Sequence, residues 1–149
     1  MHRLPKVLVT GAGGQLGQCL SEAAERHPDI NFLFESQSVL DITQKTQVLN
    51  YFDRHRPDFC INTAAYTAVD KAETEPEKAK EINVEGVKNL VAACQTYAVT
   101  LVQISTDFVF DGQKKTPYTE NDTPHPINVY GQTKWEAEQW IRQHLQSHY

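Results

Sequence analysis

The chain has 149 residues, 40% of them hydrophobic and 22% charged, which is enough for one domain with a hydrophobic core and too few for two. A net charge of -5, with no basic face to offset it, argues against a nucleic-acid partner. No apolar run is long enough to cross a bilayer and the N-terminus lacks a secretory core, so the expectation is a cytoplasmic protein with no membrane partner.

In chain order, Lys6 to Thr10 (KVLVT) is a short β-branched run ending in glycines and reads as a buried strand. Leu16, Leu20, Ala23 and Ala24 then recur at helical spacing, in a helix that stops near Pro28. Asn31 to Glu35 is the second expected strand. Thr43 is placed to cap a helix carrying Val48, Leu49 and Phe52, which ends before Pro57. Asp58 to Asn62 is the third strand. In T-E-P-E, Thr74 reads as an N-cap, Pro76 as a first-turn residue and Glu77 as the capping-box partner. Ala79, Ile82, Gly86, Leu90 and Cys94 mark the buried stripe of one long helix. Val99 to Ser105 is the fourth strand. A long polar, proline-containing loop spans Asp111 to Asn128, and a last helix runs from about Val129 to about His144.

Strands alternating with helices predict an α/β fold, a doubly wound parallel sheet with helices on both faces. The expected strand order is 3-2-1-4, with a ligand crevice at the carboxyl edge. No further strands are expected after the fourth strand and its following helix. Cys19, Cys60 and Cys94 are widely separated, without metal spacing, and read as small buried hydrophobes in a reducing compartment. No metal site is expected among these residues.

Gly11-Ala12-Gly13-Gly14-Gln15-Leu16-Gly17 joins the first strand to the first helix. Glycines at positions 11, 14 and 17 allow a tight turn and let backbone approach a pyrophosphate, whose charge the helix N-terminus stabilises. Glu35 closes the second strand, where a carboxylate can bind the adenosine ribose and repel a 2′-phosphate; no lysine or arginine follows in Ser36-Gln37-Ser38. A plain solvated glutamate is the other reading. Tyr130 and Lys134 lie four apart on the last helix and so share a face. A free phenol titrates near pH ~10, and a neighbouring cation favours the phenolate, which makes a tyrosine usable as a general acid/base. Ser105-Thr106-Asp107, past the fourth strand, brings hydroxyls to the same edge. Asn62-Thr63-Ala64-Ala65-Tyr66 supplies small residues against which a cofactor can lie. Asn83, polar within an apolar stripe, reads mainly as a buried amide satisfying backbone, with a water-linked proton relay as the alternative.

The segments VTGAGGQLG, LDIT, INTAAYTAVDKAE, INVEG, ISTDFVFDG and NVYGQTKWEAE, which together span nearly the whole chain, closely resemble the dTDP-4-dehydrorhamnose reductases, a family of extended short-chain dehydrogenase/reductases. The resemblance implies a Rossmann-type NAD(P)-binding domain over residues 1–149. It carries Tyr130, Lys134 and Thr106 as the catalytic set, with Thr106 and Asp107 touching substrate. Gln15 and Leu16 match the pyrophosphate turn, Asp41 and Ile42 an adenine-side contact, and Ala65, Tyr66 and Thr67 the cofactor wall. Either NADH or NADPH is implied, which weakens the discrimination ascribed to Glu35. Phe108 stands where the family usually has tyrosine, outside the catalytic three. Members of the family are longer, with strands 5 and 6 and a substrate domain. The resemblance therefore makes this chain an N-terminal fragment, inactive by itself, with the sugar-covering tryptophan, a magnesium-binding dimer surface and homodimer contacts falling after Tyr149.

For the parent enzyme, the implied reaction is reduction of the 4-keto group of a dTDP-linked 4-keto-6-deoxyhexose, giving dTDP-L-rhamnose. Two other readings stay open here. One is a non-catalytic nucleotide-binding subunit, because the methionine adenosyltransferase regulatory subunit resembles the same family. The other is a different nucleotide-sugar epimerase or reductase. A dehydratase is disfavoured, because Thr106-Asp107-Phe108 lacks the glutamate such enzymes carry there.

Overall fold

The computed structural model describes residues 3–149. Four parallel strands form one sheet: β1 (Lys6–Thr10), β2 (Asn31–Glu35), β3 (Phe59–Asn62) and β4 (Thr100–Gln103). Helix α1 (Gln15–Ala24) links β1 to β2, and α2 (Lys45–His55) links β2 to β3. Two short helices, α3 (Val69–Ala72) and α4 (Pro76–Lys80), and a π-helical turn (Glu81–Glu85) lead into α5 (Gly86–Tyr97). After β4 come a 3₁₀ turn (Asp107–Val109), the long loop and α6 (Val129–His144).

The order across the sheet is β2-β1-β3-β4, which corrects the expected 3-2-1-4. The first crossover places β2 on one side of β1; the second carries the chain back over β1, so β3 pairs with β1's other edge. Both crossovers can be right-handed only if their helices lie on opposite faces. Accordingly α2 packs with α5, and α5 with α6, while α1 contacts β2. The sheet also extends one step further than the sequence suggests. Residues 147–149 run parallel to β4, with Leu101 N–H bonded to the Ser147 carbonyl (3.1 Å) and Tyr149 N–H to that of Leu101 (2.9 Å).

Alternation decides which side chains enter the core. Leu8, Cys60 and Leu101 point to the α2/α5/α6 face and meet Val48, Phe52, Leu90 and Val91, all essentially inaccessible to solvent. Each large apolar side chain buried in this way contributes on the order of 1.5–3 kcal/mol. The opposite face is thinner. Phe59 on β3 and Ile104 just past β4 remain exposed.

Several local expectations change. Thr43 does not cap α2; its hydroxyl donates to Asp41 Oδ1 (2.8 Å), and Gln44 is the residue before the helix. Thr74 does not cap α4 and Glu77 forms no capping box: Thr74 Oγ1 donates to the Lys71 carbonyl (3.0 Å), closing the turn after α3. Short polar side chains bond nearby backbone readily, and here the α3 turn offers the nearer acceptor. The single long helix is interrupted by the π turn at Asn83. β4 is shorter than Val99–Ser105, because the backbone leaves the ladder after Gln103. Cys60 and Cys94 are buried as expected, but Cys19 is exposed, because α1 has little packed above it.

Candidate active site

The sheet's carboxyl edge opens into a groove of about 730 Å³. Its floor at one end is the turn after β1. Gly11 takes φ 69°, and a Cβ there would lie 2.5 Å from Ala64 N, so only glycine lets the turn from β1 lie against the segment after β3. Thr63 Oγ1 ties the two together by donating to the Thr10 carbonyl (2.6 Å). The turn leads into the N-terminus of α1 at Gln15, where no side chain caps the helix and no acidic residue occupies the first turn. The opening N–H groups of a helix have no intrahelical acceptor and carry positive dipole charge, so this end of the groove can hold a pyrophosphate.

Gly11, Gly14, Gln15 and Leu16 all border the groove. Gly17 does not. It is buried behind the turn against the Ala12 backbone, where a Cβ would meet atoms at 2.5 Å. Asp41 and Ile42 form part of the wall; Asp41 Oδ1 accepts from Thr43 N–H (2.9 Å), which fixes that bend. Ala64, Ala65 and Thr67 line the groove on the β3 side.

Tyr66 turns away. Its hydroxyl donates to Glu75 Oε2 (2.6 Å) and its backbone is gripped by Asn83, whose Oδ1 accepts from Tyr66 N–H (2.8 Å) and whose Nδ2 donates to the Tyr66 carbonyl (3.1 Å). Asn83 Nδ2 also reaches Thr133 Oγ1 (3.0 Å), and Thr133 donates to the Tyr130 carbonyl (2.8 Å). Asn83 therefore has the structural role read from the sequence, bolting the segment after β3 to the base of α6.

At the far end, Tyr130 and Lys134 both border the groove, together with Ser105 and Ile104. Helix α6 starts at Asn128, whose Oδ1 accepts from Gly131 N–H (2.7 Å), while Glu73 Oε1 accepts from Val129 N–H (2.8 Å). Gly131 lets this first turn sit on the Phe108 carbonyl, which a Cβ would approach to 2.2 Å. The Tyr130 ring meets Phe108 edge-on, with centroids 5.7 Å apart. Lys134 is 4% exposed and donates to the Ile104 carbonyl (2.6 Å). Burial pushes its pKa down to about 8, and the Glu138 carboxylate opposes that shift.

Thr106 and Asp107 lie one and two residues past groove-lining Ser105 but do not border the groove themselves. Thr106 Oγ1 accepts from Phe108 N–H (3.2 Å), capping the 3₁₀ turn, and its own proton reaches Asp107 Oδ1 only at 3.3 Å. Glu35 also lies off the groove, with its carboxylate accepting from Tyr51. The sequence reading missed the apolar contributions of Ile82 and Ile104 and the contact of Ser105 with Glu138. Ile82 was legible only as a core residue, because period alone does not separate a groove wall from a core.

A parallel sheet, a glycine turn opening the first helix and a tyrosine–lysine pair on the same groove define a Rossmann-type α/β protein. Residues 5–149 match the family described as the RmlD substrate binding domain, and this chain belongs to that family. It is 42% identical over 138 residues to a dTDP-4-dehydrorhamnose reductase from Aggregatibacter actinomycetemcomitans, covering 93% of this chain and 47% of that protein. The chain spans about half the length of the curated relatives it matches. Among solved structures, dTDP-4-dehydrorhamnose reductase from Bacillus anthracis in complex with NADP superposes with a TM-score of 0.94 at 37% identity, over 99% of this chain and 52% of that one. UDP-glucose 4-epimerase from Brucella ovis in complex with NAD shares the fold, with a TM-score of 0.81 at 22% identity, over 93% of this chain and 47% of that one.

Proposed function

We propose that this chain is the cofactor-binding part of an NAD(P)H-dependent reductase that converts the 4-keto group of a dTDP-linked 4-keto-6-deoxyhexose to the alcohol, giving dTDP-L-rhamnose. The observation that carries this reading is that Tyr130 and Lys134 line the same groove as Gly11, Gly14 and the N-terminus of α1. The relatives' names supply the substrate class.

In this reading the α1 N-terminus takes the pyrophosphate, Asp41 and Ile42 flank the adenine side, and Ala64, Ala65 and Thr67 let the cofactor lie close to backbone. The bound reduced nicotinamide supplies the hydride. Tyr130 gives its phenolic proton to the carbonyl oxygen as the alcohol forms. Lys134, whose ammonium form still predominates at neutral pH, supports the phenolate that results and reaches the nicotinamide ribose. Thr106, whose proton has only a long contact with Asp107, donates to the substrate carbonyl, and Asp107 touches the sugar.

The test is Tyr130→Phe in a protein carrying this chain and the further length of its relatives. Turnover falls by about 10²–10⁴-fold, the usual contribution of a positioned proton donor, while cofactor affinity is unchanged. Turnover retained at the wild-type rate refutes the assignment.

A further inference from the structure

In folds of this class the end of the second strand meets the adenosine ribose, and a carboxylate there selects against a 2′-phosphate. Glu35 holds that place in the sequence, and its main chain is where such a residue belongs: the Glu35 carbonyl accepts from Ala12 N–H (3.0 Å), tying β2 to the glycine turn. Its side chain goes elsewhere. At the end of β2 its flexible side chain lies toward α2, where Tyr51 Oη donates to Glu35 Oε1 at 2.5 Å. A hydrogen bond to an ionised acceptor is among the stronger ones a side chain makes. The Tyr51 ring is held in turn by stacking on His55, with centroids 4.1 Å apart. Burial, then the Glu35 carboxylate, pushes the Tyr51 pKa up, so the hydroxyl keeps its proton and stays a donor. Glu35 and Tyr51 border a small separate hollow instead of the groove.

What faces the groove at this point is Ser36, Gln37 and Ser38. The two serine hydroxyls lie 2.8 Å apart. These are neutral groups that can donate either to a ribose hydroxyl or to a phosphate oxygen. We propose that Tyr51 is a positioning residue for cofactor choice: it holds Glu35 out of the groove, leaving a neutral 2′ subsite at Ser36, Gln37 and Ser38 that admits a 2′-phosphate. The inference rests on the dinucleotide reading of the groove given above.

The experiment is fluorescence titration with NADPH and with NADH of a protein carrying this chain and the further length of its relatives, as wild type, Tyr51→Phe and the double variant Tyr51→Phe/Glu35→Gln. In Tyr51→Phe the carboxylate is released to the subsite. NADPH affinity falls by about tenfold relative to NADH, the order expected for one partly screened like-charge contact. In the double variant the wild-type ratio returns, because the freed side chain no longer carries charge. A purely structural role for Tyr51 moves both affinities together and is not rescued by Glu35→Gln. An unchanged NADPH/NADH ratio in Tyr51→Phe, or a shift that persists in the double variant, overturns the proposal. Wild-type protein of that full length that binds neither cofactor refutes the dinucleotide reading itself, and this inference with it.

Discussion

Replacing Lys134 with methionine removes a charge that the fold holds out of water. The ammonium is 4% exposed and its pKa drops from 10.5 to about 8 through burial. That shift corresponds to a penalty of about 3 kcal/mol at pH 7 for keeping the side chain charged in the folded state. Against it stands the bond to the Ile104 carbonyl at 2.6 Å, which returns about 1.5–2 kcal/mol. Methionine fills a similar volume and loses that bond, so Lys134→Met is expected to be more stable than wild type by about 1 kcal/mol at pH 7. The sign of the pH dependence follows from proton binding. Below pH 8 both folded and unfolded lysine are protonated and the penalty is complete. Between about 8 and 10.5 the unfolded chain binds more protons, so wild type gains stability as pH rises. By pH 10 about 2.5 kcal/mol of the penalty is relieved and the variant becomes the less stable form.

Urea unfolding of both proteins at pH 7, 8, 9 and 10 measures this. The difference between them is the informative quantity, because burial raises the pKa of the Cys60 and Cys94 thiols, which lowers the stability of both proteins over the same window. A difference that stays constant within about 0.5 kcal/mol from pH 7 to 10 refutes the account of Lys134 as a buried, destabilising charge. On the role proposed for Lys134, this expected gain in stability is the trade-off that active sites commonly show.

Two further outcomes follow from packing and exposure. Gly131→Ala places a methyl 2.2 Å from the Phe108 carbonyl and lifts the first turn of α6; thermal unfolding should report a loss of about 1–3 kcal/mol, and an unchanged melting temperature contradicts the close approach. In the native chain a thiol reagent should modify Cys19 at the rate of a free cysteine, while Cys60 and Cys94 react only after unfolding. Rapid modification of all three thiols would show that the core around α5 is open.

Much of the groove was legible in the sequence because its residues sit at junctions where the chain has little choice. Glycines between a strand and a helix, small residues after β3, and a tyrosine and lysine four apart each depend on local geometry alone. Tyr66 and Thr106 show the limit of that reading. Both come from the right segments, yet Tyr66 is drawn to Glu75 and held at its backbone by Asn83, while Thr106 sits one residue past the groove lining, its oxygen capping the 3₁₀ turn and only its proton left to donate. Those competing partners lie on other elements or depend on a turn type that spacing does not encode.

From the sequence by itself came the alternation of strands and helices, the parallel sheet, the glycine turn between β1 and α1 and the shared face of Tyr130 and Lys134, because period and turn chemistry act over a few residues. The order β2-β1-β3-β4 needed the tertiary structure, since the face taken by each crossover helix depends on what packs against it. So did the direction of Glu35: an acidic residue ending β2 reads the same whether it faces the ribose or Tyr51, and only the placement of α2 beside β2 decided which.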